Sequence, residues 1–313
     1  GKAIELGKAL FWDMQTGSDG ITACATCHFS AGGDTRSIGQ AHPGALGSFS
    51  NLGPNHAFTE NDFPFRKLTD PMDAESSVIQ DSTEVGGSAG IHLQDFVGVS
   101  LNLNGNAESV DDCSNLDIDG LPITDPLFSL NGVNLRQVTG RNAPSSVNAI
   151  HYVDNFWDGR ARSDFNGMNP GGQGDPDAAI KKVDVDGAII NCGISMEKAS
   201  LASQSVGPPL SGVEMSGSGR AFSDLGKKMC NVQPLAHQRV ASSDSVLGSL
   251  AVTAGDGKGL NVSYVEMIQA AFRPEYWDSD AIFDPAGNLL LDSAGSPVSG
   301  SPEGPDQFAM MEI

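Results

Sequence analysis

The chain has 313 residues, which is enough for one large domain or two ordinary ones. It carries 39 acidic residues against 18 basic ones, so its formal net charge is −21 at pH 7. A charge of this sign disfavours nucleic acid and anionic membrane surfaces as partners, and it suits a basic protein partner. Because no apolar run approaches the length needed to cross a bilayer, we predict no membrane span.

The first predicted element is a helix over residues 2–12, where apolar side chains follow a helical spacing. These side chains belong to Ile4, Leu6, Ala9, Leu10 and Phe11. A helical turn is predicted next, over residues 24–29. The stretch 31–140 is mostly polar and rich in Gly, Pro, Asn, Asp and Ser, so we expect long irregular loops there.

Three further helices and two β-hairpins are predicted in the second half of the chain. Helical spacing favours residues 145–153, 219–229 and 263–272. An Asp-Gly turn between β-branched residues predicts a hairpin over residues 183–190, and residues 282–291 resemble it. The stretch 308–313 has the composition of an apolar helix that stops before its apolar face is covered, so we expect the native chain to continue beyond it.

Residues 24–28 read Cys-Ala-Thr-Cys-His, the C-x-x-C-H pattern by which c-type haem is attached. Two thiols separated by two residues can reach both vinyl groups of one haem from a single helical turn, and the adjacent imidazole then lies under the iron. Cys24 and Cys27 are therefore the predicted thioether anchors, and His28 is the predicted proximal iron ligand. We expect one covalent haem c in this chain.

Two other uses of a C-x-x-C pair fit less well. A zinc site requires a second pair of ligands, and the chain has no other C-x-x-C and no H-x-H. A redox disulfide of the thioredoxin type requires a preceding hydrophobic strand, and the sequence before Cys24 does not provide one. Haem attachment is therefore the favoured interpretation of this motif.

The haem also indicates a compartment. Covalent haem is normally attached outside the cytoplasm, and the chain starts at Gly1, so we expect a periplasmic or extracellular protein whose signal peptide has been removed. Three cysteines remain, Cys113, Cys192 and Cys230, and they allow at most one disulfide. A Cys113–Cys192 pair and three unpaired thiols are the open alternatives.

Four segments resemble, in this order, the bacterial di-haem cytochrome c peroxidase family. They are LGKALFWD at residues 6–13 leading into CATCH, GRNAPS at 140–145 followed by Asn148-Ala149, FWDGRA at 156–161, and QSVGPP at 204–209 ending in GVEM at 212–215. Each segment except CATCH is weak alone, but their order matches the family. The resemblance covers the N-terminal, peroxidatic haem part, and it implies a second haem in a C-terminal part that this sequence lacks.

The resemblance implies roles for four residues. Glu214 matches the family's distal carboxylate, a general acid–base that moves the peroxide proton. Gln204 matches a distal amide that orients peroxide, and Trp157 matches an indole between the two haems. Asn142 matches a ligand of a calcium ion between the domains. From the residues alone, Trp157 has an ordinary interpretation as a core residue, and the other three as loop or surface groups.

The sixth iron ligand is the least defined part of the predicted site. In many family members a loop His after the haem motif ligates the resting iron, and His42 lies closest to that place in this sequence. His56 and His92 are alternatives, as is an open or water-bound iron. A given loop His is more often a surface residue than a ligand.

The predicted fold is mainly α: a cytochrome c-like haem domain with long irregular loops and one or two small β-hairpins. The haem domain would span residues 1–240, with insertions at about 35–139 and 163–202 relative to compact family members. Residues 241–313 would begin a second, C-terminal haem domain or a connecting segment that is incomplete here.

The predicted function is the reduction of hydrogen peroxide to water by a haem-dependent peroxidase. Electrons would come from a small electron-donor protein through the second haem, which a C-terminal domain or a partner chain would carry. A homodimer is a candidate assembly. Two alternatives remain: an electron-transfer cytochrome without catalysis, and a di-haem oxygenase that acts on a partner protein or an organic substrate.

Overall fold

A computed structural model describes residues 1–28, 39–101, 109–116, 120–304 and 306–313. The chain is 23% helical and 22% strand, with five α-helices among the described residues. The predicted mainly α fold is therefore wrong, because helix and strand contribute almost equally. The difference arises mainly in the polar stretch after the haem motif, which closes into short β-hairpins where long loops were expected.

The five α-helices are short. Their bounds are α1 Lys2–Trp12, α2 Cys24–His28, α3 Ser200–Ser205, α4 Phe222–Cys230 and α5 Tyr264–Ala271. Helix α1 forms where it was predicted, and α2 confirms residues 24–28 of the helical turn predicted over 24–29, whose last residue, Phe29, lies outside the described residues. Helices α4 and α5 confirm two of the three later helices. In the part of the chain that the structure describes, no helix has the length and apolar character of a membrane span.

The helix predicted over residues 145–153 is wrong. Only a 3-10 turn forms there, over Ala149–His151. Asn148, just before this turn, has a left-handed backbone conformation with φ 61°, which interrupts a right-handed helix. Val147 and Ile150 are exposed, so no buried apolar face is present to stabilise a helix.

Helices α1, α4 and α5 contribute to the larger hydrophobic cluster, here called the helical core. Its buried side chains are Leu6, Ala9, Met229, Val232, Leu235, Leu247, Leu260, Tyr264 and Met267. A capping box starts α5: the Ser263 hydroxyl accepts from the Glu266 N–H at 3.2 Å, and the Glu266 carboxylate accepts from the Ser263 N–H at 2.7 Å. This core joins the first helix to residues 229–267, and a domain boundary at residue 240 stays a prediction.

Fourteen short strands form seven separate antiparallel pairs among the described residues. The pairs are β1 (Gln40–His42) with β4 (Val85–Gly87), β2 (Arg66–Leu68) with β3 (Val78–Asp81), β5 (Ala89–His92) with β10 (Arg136–Val138), β6 (Asp95–Ser100) with β7 (Val110–Ser114), β8 (Ser129–Leu130) with β9 (Val133–Asn134), β11 (Ile180–Val183) with β12 (Ile189–Cys192), and β13 (Ile282–Phe283) with β14 (Phe308–Ala309). Strands β1 to β10 lie in the stretch predicted as loops. Its turn residues reverse the chain between strands, as Asn131 and Gly132 do with positive φ between β8 and β9.

One turn recurs in the hairpins of the second half. It starts at an aspartate, namely at Asp184, Asp284 and Asp292. In each case one carboxylate oxygen accepts from the backbone N–H groups two and four residues later, at 2.8–3.0 Å. The residue three positions after each aspartate has a positive φ, which glycine adopts without strain. These residues are Gly187, Gly287 and Gly295. The first of these turns confirms the hairpin predicted over residues 183–190.

A smaller hydrophobic cluster, here called the hairpin core, forms around two of these turns. Its buried members are Ala281, Phe283, Phe308 and Met310, and Val183, Ile189 and Leu289 pack against them. The hairpin predicted over residues 282–291 is only partly formed: Phe283 and Leu289 make an isolated bridge across the turn, but the strand partner of β13 is β14. The stretch 308–313 is not the expected helix, since a 3-10 turn at Met310–Glu312 follows β14.

A buried ion cluster attaches the start of α4 to β7. Asp111 Oδ2 lies 2.6 Å from Arg220 Nη1 and 3.4 Å from Lys228 Nζ, and all three side chains are at most 2% exposed. Arg220 Nη2 also donates to the backbone carbonyls of Thr16 and Pro209, at 3.0 and 2.6 Å. The cluster therefore ties the segment before the haem motif to the segment before Glu214.

Candidate haem site

Helix α2 places both cysteines of the CATCH motif on one turn. Cys24 and Cys27 form no disulfide and are partly buried. Positions three apart lie on the same face of a helix, so both sulfur atoms can bond a single flat group. Phe11 of α1 lies beside the motif, with its ring centroid 6.5 Å from that of His28.

His28 has the hydrogen bond expected of an imidazole that ligates a metal. Its Nδ1 lies 3.0 Å from the backbone carbonyl oxygen of Pro144, so Nδ1 carries the proton and donates it. This bond fixes the tautomer and leaves the lone pair of Nε2 available to iron. Burial lowers the pKa of His28, against the opposing effect of the Pro144 carbonyl, which favours the neutral ring that binds metals.

The structure does not support the disulfide and zinc interpretations of the motif. None of the five cysteines is in a disulfide, so Cys24 and Cys27 are not bonded to each other, and a Cys113–Cys192 pair is not formed. Burial raises the pKa of Cys24 to about 11, whereas a redox-active thiol needs a lowered pKa. Among the described residues, no group of three or more His, Cys, Asp or Glu side chains could hold a metal ion. The thiol pair and the oriented imidazole fit a covalently bound haem.

Strand β5 brings the haem motif next to the segment of Glu214. The Cys27 thiol donates to the carbonyl oxygen of Ala89 at 3.9 Å. The next residue, Gly90, packs directly on the other segment, since a Cβ at this position would lie 1.8 Å from the Val213 carbonyl oxygen. Only glycine permits this approach. Two consecutive residues of β5, Ala89 and Gly90, therefore contact the haem motif and the segment of Glu214.

Glu214 is partly buried close to the haem motif. Burial raises the pKa of its carboxyl group, while a hydrogen bond with Ser211 and the charge of Arg160 oppose the shift. The carboxylate in turn contributes to the raised pKa of Cys24, because the two groups are near each other. A carboxyl group with a raised pKa holds a proton at a pH at which ordinary glutamates are ionised, so Glu214 can serve as a general acid–base.

Arg160 supplies positive charge near Glu214. Its guanidinium carbon lies 4.3 Å from the ring centroid of Phe156. An isolated antiparallel bridge between Asn155 and Ala161 closes the intervening turn, in which Phe156 has φ 64°. The guanidinium is thus held on an aromatic face, an arrangement that restricts its position.

The structure does not bring the other three residues named by the resemblance into the contacts around the haem motif. Gln204 is half-buried near the end of α3. Trp157 is 84% exposed and lies under the guanidinium of Arg141, 4.7 Å from its ring centroid, so it is not a core residue. Asn142 is exposed on the surface next to Arg141. Their predicted roles stay predictions.

His42 lies in β1, and its ring faces Gly140 and Phe128. The Gly44 N–H donates to His42 Nδ1 at 2.9 Å, which places the proton of the neutral ring on Nε2. His42 would have to lose this bond or its proton to ligate iron. His56 Nε2 contacts Asp62 at 3.1 Å, and His92 is an exposed residue of β5. The sixth ligand therefore remains a prediction.

Sequence reasoning missed three contributions to the site: the Pro144 carbonyl, the glycine at position 90, and the cation Arg160. Pro144 and Arg160 lie within segments that carried the resemblance. Both residues were therefore included in the resemblance, but no role was assigned to either. Every residue has a backbone carbonyl, so the residue type does not indicate which carbonyl will bind His28. Gly90 was one glycine among 38, and only the close approach of Val213 distinguishes it.

Residues 1–90 match the protein-family model described as di-haem cytochrome c peroxidase. The matched stretch contains α1, the CATCH motif and β5 as far as Gly90, whereas Pro144 and Glu214 follow it. Comparison with curated proteins and with solved structures gives no match. The match agrees with the family suspected from the sequence, and it contains the first of the four segments; the other three follow residue 90. It supports a haem-based peroxidase or electron-transfer function in general.

Proposed function

We propose that this chain is the peroxidatic part of a c-type haem oxidoreductase that reduces hydrogen peroxide to water. Cys24 and Cys27 would hold the haem by thioether bonds, and His28 would ligate its iron. The observation that carries the proposal is the His28 Nδ1–Pro144 hydrogen bond at 3.0 Å, at the end of a helical turn whose two cysteines form no disulfide. This bond holds the proton on Nδ1, orients the ring and so prepares Nε2 for iron.

Glu214 supports catalysis over simple electron transfer. Reduction of peroxide consumes two electrons and two protons and yields two water molecules. The haem iron, when bound, supplies the redox chemistry. Glu214 would take the proton from the attacking peroxide oxygen and return it to the leaving oxygen, since its raised pKa suits both transfers. Arg160 would moderate that pKa through its charge.

The remaining parts of the proposal rest on the resemblance. Electrons would arrive from a small donor protein, by way of a second haem in a C-terminal domain or partner chain, with Trp157 near the route. Gln204 would orient peroxide, and Asn142 would contribute to a calcium site. The periplasm is the proposed compartment, since members of the matched family are typically periplasmic.

Glu214→Gln tests the catalytic role. The chain would be produced together with c-type haem maturation enzymes, reduced chemically, and mixed with hydrogen peroxide in a stopped-flow spectrometer. Loss of the acid–base group is expected to slow haem reoxidation by about 10²–10⁴-fold. Glu303→Gln, an exposed glutamate, is the matched control and should leave the rate unchanged.

The pH dependence gives a second reading of the same experiment. Glu214 must be ionised to accept the first proton, so the wild-type rate should fall as the pH decreases through its pKa. Because burial raises that pKa, the fall should occur above the range of an ordinary glutamate, about pH 4.3. The Glu214→Gln variant should lack this dependence. An unchanged rate and pH profile would contradict the proposal and favour an electron-transfer cytochrome.

A further inference from the structure

A chain of aromatic rings leads away from the predicted iron ligand. The Phe11 ring centroid lies 6.5 Å from that of His28 and 5.7 Å from that of Trp12, which it meets edge to face. Trp12 is the last residue of α1 and is half-buried. An indole, unlike a phenylalanine ring, is readily oxidised by one electron, so Trp12 is the first redox-competent side chain along this path.

Asp13, the residue after Trp12, is the hydrogen-bond partner of a buried tyrosine. The Tyr264 hydroxyl donates to Asp13 Oδ2 at 2.8 Å, and the two residues are 1% and 0% exposed. Asp13 also accepts from the backbone N–H of Leu235 at 2.7 Å and from that of Gln15 at 2.9 Å, so its carboxylate is fixed in place. Burial, and then the charge of Asp13, raise the pKa of Tyr264 well above its usual value, which keeps the phenol protonated at rest.

Trp12 and Tyr264 belong to the same packed core. Tyr264 is a buried member of the helical core, and Trp12 packs against that core. Helices α1 and α5 thus hold an indole, a phenol and a proton acceptor together on the side of His28 where Phe11 lies. Packing alone does not require a tyrosine here, since a phenylalanine at position 264 would fill the same apolar space without burying a hydroxyl group.

We infer that Tyr264, with Asp13 as its proton acceptor and Trp12 as the relay, is an internal electron donor to the oxidised haem. One electron leaves Tyr264 by way of Trp12 and Phe11 and reduces the haem iron after its reaction with peroxide. The phenolic proton passes to Asp13 Oδ2, which lies 2.8 Å from the hydroxyl oxygen, and this leaves a neutral tyrosyl radical and a neutral carboxylic acid. Return of an electron from the donor protein, and of the proton, restores the pair. The inference rests on the proposed haem function.

The position of the other tyrosines and tryptophans sharpens this assignment. The chain has three of each. Tyr152 is 54% exposed and Trp157 is 84% exposed, whereas Tyr276 and Trp277 are half-buried. Tyr264, in contrast, has a buried carboxylate at hydrogen-bond distance from its hydroxyl, which allows proton and electron to leave together.

Electron paramagnetic resonance tests the inference without any measurement of turnover. The haem-loaded chain would be mixed with hydrogen peroxide, frozen within milliseconds to seconds, and examined for an organic radical. Protein labelled with ring-deuterated tyrosine identifies a tyrosyl signal by its narrowed hyperfine pattern. We expect that signal in the wild type, its loss in Tyr264→Phe, and a reduced yield in Trp12→Phe. The matched controls Tyr152→Phe and Trp277→Phe should leave it unchanged.

The outcomes separate the inference from the proposed function. The optical spectrum of the oxidised haem shows whether each variant has folded around its cofactor. If the haem spectrum responds to peroxide but no tyrosyl signal forms, or if the signal survives in Tyr264→Phe, the inference is overturned and the peroxidase proposal stands. A chain that attaches no haem overturns both.

Discussion

The helical core and the aspartate turns of the hairpins are stabilised by contacts of different range. In the helical core, the Asp13–Tyr264 hydrogen bond joins residues 251 positions apart, and the Lys8–Asp244 ion pair joins residues 236 apart. In the turns at Asp284 and Asp292, by contrast, the aspartate carboxylate accepts from backbone N–H groups at most four residues away. The site depends on the first kind of contact, since His28 and Pro144 are 116 positions apart.

This difference suggests how the two regions will respond to substitution. A buried long-range contact cannot be replaced by a neighbouring residue, so its loss should affect the whole molecule. A local turn loses only its own hydrogen bonds, and the flanking strands remain. Three substitutions test this contrast, and they are described from the largest expected effect to the smallest.

Asp111→Asn should have the largest effect. It leaves Arg220 and Lys228 buried without their shared counter-charge, which costs about 3–5 kcal/mol in the free energy of unfolding. Chemical denaturation of the haem-loaded chain measures the change. The neighbouring Asp112 is exposed, so Asp112→Asn is the matched control and should change stability by less than about 0.5 kcal/mol. Equal effects of the two substitutions would contradict the burial of this ion cluster.

Gly90→Ala should have an intermediate effect on stability and a specific effect on the site. The added Cβ would lie 1.8 Å from the Val213 carbonyl oxygen, so the segment of Glu214 has to move, at a cost of about 1–3 kcal/mol. Stopped-flow reoxidation by peroxide should slow, while covalent haem attachment should persist.

Gly98→Ala is the control for this substitution, because a Cβ at position 98 of β6 meets no heavy atom within 4 Å. It should alter neither stability nor rate appreciably. If Gly90→Ala behaved like Gly98→Ala, the close contact between β5 and the segment of Glu214 would be wrong.

Asp292→Ala should have the smallest effect. It removes the carboxylate oxygen that accepts from the N–H groups of Ala294 and Ser296, both of which are exposed to water, so we expect a loss of about 1 kcal/mol or less. Asp292→Asn keeps that acceptor and should be nearly neutral. A loss of stability as large as that of Asp111→Asn would show that the Asp292 turn is not stabilised only by its local hydrogen bonds.

Local sequence patterns were sufficient for part of the fold. Helices α1 and α5 were predictable, because their apolar residues follow a helical spacing and Ser263 with Glu266 forms a capping box. The hairpin at Asp184 was predictable from its Asp-Gly turn. The strands between residues 40 and 138 were not, because they are two to six residues long and their composition is that of loops.

The candidate site likewise has a part that local sequence patterns predict and a part that they do not. The CATCH motif is local, so the sequence alone indicated Cys24, Cys27 and His28. The Pro144 carbonyl and the approach of Gly90 to Val213 depend on how distant segments pack, and no spacing in the chain encodes them. The helix predicted around Asn148 does not form, because Asn148 has a left-handed conformation and Val147 and Ile150 are exposed.

Mass spectrometry of the CATCH peptide tests the central claim most directly. Trypsin cleavage after Lys8 and Arg36 releases residues 9–36, which contain both cysteines of the motif. After production with c-type haem maturation enzymes, this peptide should carry the mass of one haem, and Cys24→Ala combined with Cys27→Ala should abolish the addition. A peptide of unmodified mass, with its two sulfurs free or joined to each other, would contradict the account.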